Sequence, residues 1–582
     1  MFTRSRFAAV ILLLTFSVLP VAAQEFGPGI LPADTSFFIF SKGTAHAETA
    51  YAANPMVQSW NSPEFADFRQ QGIAYLIRHS DWKVNGQPMK FTPAQTDQIF
   101  SILKSPMMLG FSGAIDVASL AKAGTPTGKQ FLNAGGMFVI LDVTGKTAQF
   151  DLLFRLMTAS VSKDIEHTHS DFSGVGIEKF AGPNNTSVVA RVGNYFVWSN
   201  QEKLIQDLIS RLGAHSTSSD SLAQTPNYQR CRANQDSDSI SEVYFHIPDL
   251  TKISIPASAQ FDTSAALRSL HLDAVRAFCG SYSINAQGEH SRGLVVGDTT
   301  DGGIFDFFGA NRAHFDTLAL APQSAYSYLS YSFDLPAIYK TVRAAAMAAL
   351  PQQQASMVQM VEGMSSMQLG MPVNDVLALA GGEAATIQLD ANSTPPSQIY
   401  AVTITNSEKV ATLFEKLGSN SYAEDTHENG ITFYKSINST PAAGTAGPAV
   451  TNYVALTKHY LLFGTDKPAL LKAGRLDSAT GPAAGSTLAD SPEISRLRAL
   501  LPKELLGLTI TDYTRHDWTA DFTKSIEDSE KAGQSKLPPE DIQFFDSMKK
   551  FNATRVGKAT LRRNVAGWWK EPDGIHYEGF SQ

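Results

Sequence analysis

His167 and His169 come nearest to a metal site in type and spacing: two apart on a strand, both imidazoles would face one side, with Glu166 and Asp171 close by. The second half of the chain offers only His427 in a comparable place, and no HExxH element occurs. A polar, exposed loop ahead of the strand at Gly174 is therefore the first reading, and a bound metal the second. Asn234, Asp236 and Asp238 alternate like the opening of a calcium loop, but Ser239 stands where such a loop needs Gly and Phe245 where it needs a bidentate Glu. That stretch reads as solvated loop.

Met357, Met360, Met364, Met367 and Met371 recur at intervals of three and four, which places all five on one face of a helix. Soft, adaptable side chains fill irregular cores, so a buried face is the first reading. A hydrophobic groove for a ligand or partner is the second, and thioether coordination of Cu(I) the third. Near the C-terminus Lys549, Lys550, Arg555, Lys558, Arg562, Arg563 and Lys570 occur with no acidic residue among them, and Trp568 and Trp569 close the run. Such a patch suits an anionic envelope polymer or membrane surface; the plainer reading is the solvated side of a strand.

Nucleophilic chemistry has little support. No GxSxG elbow occurs, and the SxxK strings beginning at Ser101, Ser119 and Ser160 lack their companion motifs. Gly145-Lys146 imitates the end of a phosphate loop, but Ile140 occupies the position of the required first Gly. The only cysteines, Cys231 and Cys279, are either a bridge or two buried thiols. No catalytic residue and no cofactor is assigned.

Elements able to position these residues follow from the wider pattern. The 582 residues carry a net charge of -8, with 43% hydrophobic and 18% charged residues. That composition fits packed globular units and argues against a general nucleic-acid binder, which needs a dominant basic surface. Residues 1–23 show Arg4 and Arg6, an apolar run from Phe7 to Leu19, Pro20 and a small-residue end, the pattern of a signal peptide cleaved before Gln24. No other run is apolar enough to span a bilayer, so no transmembrane span is expected in the chain from 24 onward.

The stretch NYFVWSNQEKLIQDLISRLGA at 194–214 is matched by YLLFGTDKPALLKAGRLDSAT at 460–480, pairing Tyr195 with Leu461, and the same offset of 266 carries SLAQTPNY (221–228) onto TLADSPEI (487–494). The shared unit reads as a hairpin turning at Gly193-Asn194, a helix capped by Asn200 or Asp466, and a second helix capped by Thr225 or Ser491 with Pro in its first turn. Weaker matches extend the repeat both ways. Two tandem homologous copies are expected, at 29–299 and 318–582, joined by the Gly- and Asp-rich stretch near 298–312. Each reads as strand, helices, two strands, helix, three strands, helices, strand, helix and hairpin. The fold class is α+β, each copy a mainly antiparallel sheet with helices packed on one face.

LPADTSFFIF (31–40) behind a leader, followed by two long α+β copies, resembles an uncharacterised bacterial family of secreted proteins classed as a domain of unknown function. The resemblance implies export to the periplasm or exterior and offers no catalytic residues. Matching cores without matching polar constellations suit a non-catalytic binding or scaffold protein of the cell envelope, with an envelope polymer or hydrophobic ligand as partner; a metal-assisted hydrolase using His167 and His169 is the alternative.

Overall fold

The expected tight turn forms where Gly193 and Asn194 stand: Gly193 takes a φ of 58°, in the left-handed region that suits glycine, and the flanking residues pair as Val192 with Tyr195. The computed structural model describes the chain from Gly27 to Gln582 apart from residues 44–47, 49–51, 53, 61, 79–82, 85–86, 89–91, 114–134, 160–164, 183–185, 215–218, 253–260, 286–287, 391–396, 419–421, 437–450, 478–486, 516–538 and 555–561. Residues 1–23, whose pattern is that of a leader, and Arg555 and Lys558 lie outside the described residues.

In chain order the first half contains β1 (Thr35–Ser41), α1 (Pro55–Trp60), α2 (Pro63–Arg78), α3 (Pro93–Leu103), β2 (Met107–Ser112), β3 (Gly136–Asp142), α4 (Thr147–Ala159), β4 (Glu166–Phe172), β5 (Val175–Ala181), β6 (Thr186–Val192), β7 (Tyr195–Ser199), α5 (Glu202–Ala214), α6 (Pro226–Ala233), β8 (Ser241–His246), α7 (Thr263–Ser269), β9 (Val275–Asn285) and β10 (Gly288–Gly297). The second half contains β11 (Ser327–Ser332), α8 (Leu335–Ala349), α9 (Gln352–Leu369), α10 (Val373–Leu377), β12 (Ala380–Gln388), β13 (Gln398–Ile404), α11 (Ser407–Gly418), β14 (Tyr422–Glu428), β15 (Ile431–Ser436), β16 (Tyr453–Leu456), β17 (Tyr460–Gly464), α12 (Lys467–Leu476), α13 (Pro492–Arg498), β18 (Gly507–Asp512), α14 (Pro539–Ala553), β19 (Arg563–Glu571) and β20 (Gly574–Ser581). Four strands, not the expected three, follow α4 and α11. The additional one in the first half is β4, which carries His167 and His169.

The chain divides into two compact units. Unit 1 comprises Met1–Pro248, Val275–Val296 and Ser525–Leu561, and unit 2 comprises Asp249–Ala274, Gly297–Lys524 and Arg562–Gln582. The segment between β8 and β9 thus belongs to unit 2, and α14, between β18 and β19, belongs to unit 1.

Unit 1 holds an antiparallel sheet in the order β9-β8-β1-β2-β3-β7-β6-β5-β4, with β10 beside β9. Its core gathers Phe38, Met108, Phe138, Ile140, Val197 and Tyr244 from the strands with Ile205, Leu208 and Leu212 from α5. Cys231 on α6 is bonded to Cys279 on β9, their Cα atoms 5.8 Å apart, which resolves the pair as a bridge. Helix α14 lies on α2 through aromatic rings, with Phe68 stacked on Phe551 at 5.8 Å and Tyr75 on Phe544 at 4.7 Å.

Unit 2 holds an antiparallel sheet in the order β20-β19-β18-β11-β12-β13-β17-β16-β15-β14. Adding ten to each strand label of unit 1 reproduces it. The LPADT element is the lead-in to the first strand: Leu222 N donates to Leu31 O at 2.9 Å beside a Pro32–Ser221 bridge, and in unit 2 Leu488 N donates to Ala321 O at 2.9 Å beside a Pro322–Thr487 bridge.

Capping matches the expectation in part. Asp466 Oδ1 accepts from Ala469 N at 3.1 Å and Ser491 Oγ from Ile494 N at 3.5 Å. Thr225 precedes α6 as expected but its hydroxyl donates back to Leu222 O at 2.8 Å, and Asn200 Oδ1 accepts from Met137 N on β3 at 2.7 Å. The stretch expected to be a linker is ordered structure, with a short helical turn at Gly303–Phe307 and Arg312 paired to Leu505 through both backbone groups at 2.7 and 2.8 Å. Among the described residues no helix is long and apolar enough to cross a membrane.

Candidate functional site

Glu383 on β12 is fully buried, and its carboxylate accepts from Asp316 N at 2.9 Å, Thr317 N at 3.0 Å and Ser330 Oγ at 3.1 Å, as well as from the Thr317 hydroxyl. Two backbone amides on one buried carboxylate fix the turn at Asp316–Leu320, since leaving those donors unpaired would be costly. That turn forms one wall of an open cleft of about 960 Å³ in unit 2, lined also by His314, Thr403, Thr405, His459, Tyr460 and Arg498. The volume is in the range of small-molecule sites.

Three features set the chemistry of this cleft. Asp477, 7% exposed, receives His459 Nδ1 at 2.6 Å and the His459 amide at 3.1 Å. A carboxylate accepts here, so Nδ1 is the donor and the ring is held with Nε2 turned away from Asp477. Arg498 is half-buried with Nη1 on Pro502 O at 2.7 Å and Nη2 on Lys503 O at 2.9 Å, and among the described residues no carboxylate neutralises it. Burial pushes its pKa down, which is the electrostatic cost of that placement. Tyr460 donates its hydroxyl to Asp316 O at 3.1 Å; burial first, then the Asp316 charge, raises its pKa, so it stays protonated.

The cleft hydroxyls are already engaged. Thr403 Oγ1 accepts from Glu383 N at 3.1 Å, and Thr405 Oγ1 donates to Ala378 O at 3.2 Å. His459 therefore has an orienting carboxylate, and the Thr403 and Thr405 hydroxyls on the same lining are held by backbone groups.

His167 and His169 stand on a strand rather than in a loop, both exposed, and share one carboxylate: His167 Nε2 is 2.6 Å from Glu178 Oε2 and His169 Nδ1 2.9 Å from Glu178 Oε1. Glu178 faces them from β5, and the His167 ring stacks on Phe180 at 4.5 Å. Burial acts to raise the Glu178 pKa, but the hydrogen bonds to His169 and His167 outweigh it and hold the carboxyl below its usual range. A second donor set was not foreseen: Glu571, Asp573 and His576 on the β19–β20 hairpin have donor atoms within 4.8 Å of one another. His576 lies under Trp569, whose Nε1 donates to Glu571 Oε1 at 2.7 Å. One imidazole and two carboxylates could hold a divalent cation.

The remaining expected sites resolve as follows. Asp236 binds His290 Nδ1 at 2.7 Å and Arg292 at 3.3 Å, so it is an ion-pair anchor rather than a calcium ligand. Lys146 turns inward to Ser101 O at 2.6 Å, away from any phosphate role. Lys549 and Lys550 lie on α14 of unit 1, while Arg563 on β19 of unit 2 is paired with Asp512 and Glu493 and Arg562 is buried. Trp568 covers Gly507 on β18. These residues do not form the solvated side of one strand.

The methionine face is not the buried core that its residue types suggested. Met357, Met360, Met364 and Met367 are 55, 57, 54 and 78% exposed, and only Met371 packs against the cluster around Leu379 and Leu413. Helix α9 seats itself instead through buried Ala355 and through Glu362, which receives Arg343 Nε at 2.6 Å.

Comparison with family models, curated proteins and solved structures finds no match. His459 and Asp477 escaped the sequence reading because no motif links residues at their spacing. The one available signal was local: a Lys458-His459 turn stands where the first half has Gly193-Asn194.

Proposed function

We propose that this is an exported, non-catalytic binding protein built from two homologous copies, and that the unit 2 cleft takes a small ligand bearing an anionic group. The half-buried Arg498 charge, with no carboxylate on it among the described residues at a cleft of about 960 Å³, is the observation that carries this reading. A bound carboxylate or phosphate would offset the desolvation of that charge, and His314 and His459 lie on the same lining. The common strand order supports the two-copy origin, and the leader pattern at 1–23 supports export. Such copies can share a core while only one keeps the polar lining.

The test is a thermal-shift panel of small carboxylates, phosphates and acidic sugars, followed by calorimetry on any that stabilise. At least one is expected to bind, with a tenfold or greater loss of affinity in both Arg498→Met and His314→Ala. Binding indifferent to both substitutions, or a panel with no member that stabilises, would refute it.

A metal-assisted hydrolase is the competing reading, favoured by one observation: Glu178 supplies a third donor to His167 and His169. Stoichiometric zinc or manganese in purified protein, lost on changing both histidines to Ala, would reverse the ranking.

A further inference from the structure

The outward face of α9 carries chemistry that neither the core nor the cleft uses. Five of the fourteen methionines in the chain fall between 357 and 371, and the first four are each more than half exposed. The helix reads QQQASMVQMVEGMSSMQL, so Glu362 is its only ionisable side chain, and that carboxylate is drawn to α8 by Arg343 Nε at 2.6 Å and Nη2 at 3.1 Å and by the Tyr339 hydroxyl. Helix α9 itself therefore brings no second carboxylate to its methionine face.

An exposed apolar face meant only to pack would be served as well by Leu, which has comparable size and helix propensity. What methionine adds is a soft sulfur lone pair on an arm with three rotatable bonds. Met357 with Met360, and Met364 with Met367, are i, i+3 pairs, whose Cβ atoms on a helix lie about 5–6 Å apart. Two such arms can close on one ion from opposite sides. Thioethers prefer Cu(I) among biological metals, while carboxylate and carbonyl sites prefer hard cations. The two cysteines are bonded to each other, so neither competes as a free thiolate.

We propose that α9 is a soft-metal site, in which the Met357–Met360 and Met364–Met367 pairs each bind one Cu(I) ion through two thioether sulfurs. The ion arrives and leaves as Cu(I), and no redox step is involved. The site is independent of the anion reading of the cleft.

The test is an anaerobic titration of the full chain with Cu(I) against a chromogenic Cu(I) chelator, repeated with Ag(I) by native mass spectrometry. Two ions per chain are expected at saturation, one after Met364→Leu with Met367→Leu, and none after all four are changed to Leu. X-ray absorption should show sulfur ligands alone. The Leu changes keep volume and helix propensity, so an unchanged circular dichroism spectrum and melting temperature certify the fold. Cu(I) retention unaffected by the fourfold Leu variant, or no retention by the wild type, overturns the proposal. Metal-independent self-association shared by the wild type and the fourfold Leu variant, without ion binding, would make this face an apolar contact between copies instead.

Discussion

Val197 and Leu462 occupy the same place in the strand orders of the two units: each is fully buried, and each is the third residue of a strand that follows a two-residue turn. Tyr195 opens β7 and Tyr460 opens β17, with Tyr195 facing Asp142 on β3 and Tyr460 facing Thr403 on β13. The offset that best aligns the letters pairs Tyr195 with Leu461, one residue later. Leu461 lies in the equivalent strand but points to the other face, because a slip of one residue in a strand exchanges its two sides.

This register makes Leu462→Ala a core truncation. It should cost about 3 kcal/mol, the usual range for a buried leucine whose cavity closes only partly. Urea unfolding followed by tryptophan fluorescence measures it; a loss below about 1 kcal/mol would place Leu462 outside the core.

The bridge between Cys231 and Cys279 closes a loop with a sequence separation of 48 residues. In the chain-entropy model removing it costs about 4 kcal/mol. Cys231→Ala with Cys279→Ala should therefore lower the urea midpoint well below that of the wild type. Leu497, which stands on α13 where Cys231 stands on α6, is fully buried too, so unit 2 fills the corresponding place by packing alone.

Asp512 on β18 predicts the form of the acid limb. Burial acts to raise its pKa, but hydrogen bonds from Thr514, Arg515 and Arg563 hold it below the ordinary value. A depressed folded pKa means that the contribution is complete above the unfolded value of about 3.9 and is lost as pH falls through the folded one. Asp512→Asn should be less stable at neutral pH and show a shallower loss as pH falls below about 4, read from urea midpoints through that acid limb. An acid limb identical to that of the wild type would contradict this.

Met364 is 54% exposed on α9. Met364→Asp should change stability by less than about 1 kcal/mol, the size of a helix-propensity effect rather than of a buried charge. A loss of several kcal/mol would restore the buried-face reading.

Much of the fold was legible because it is encoded locally. Gly193-Asn194 announces a turn, Pro226 and Pro492 mark helix starts, and Asp466 supplies a cap whatever lies around them. Thr225 and Asn200 show where local rules stop: both side chains had another acceptor or donor in reach, Leu222 O for one and Met137 N for the other. The strand at Glu166–Phe172 has the sequence pattern of a loop, because EHTHSDF has no apolar alternation. It pairs with β5 while exposing nearly every side chain, so the signal that reveals half-buried strands was missing.

The sequence by itself determined most of the succession of strands and helices, the Gly193-Asn194 turn and the Asp466 and Ser491 caps, since each depends on residues a few positions apart. Only the tertiary structure decided that Cys231 meets Cys279, that Glu178 joins His167 to His169, that His459 rests on Asp477, and that the methionines of α9 face outward. Periodicity states which residues share a face. What lies opposite that face depends on chain brought in from elsewhere, and the energy of such contacts leaves no mark on local spacing.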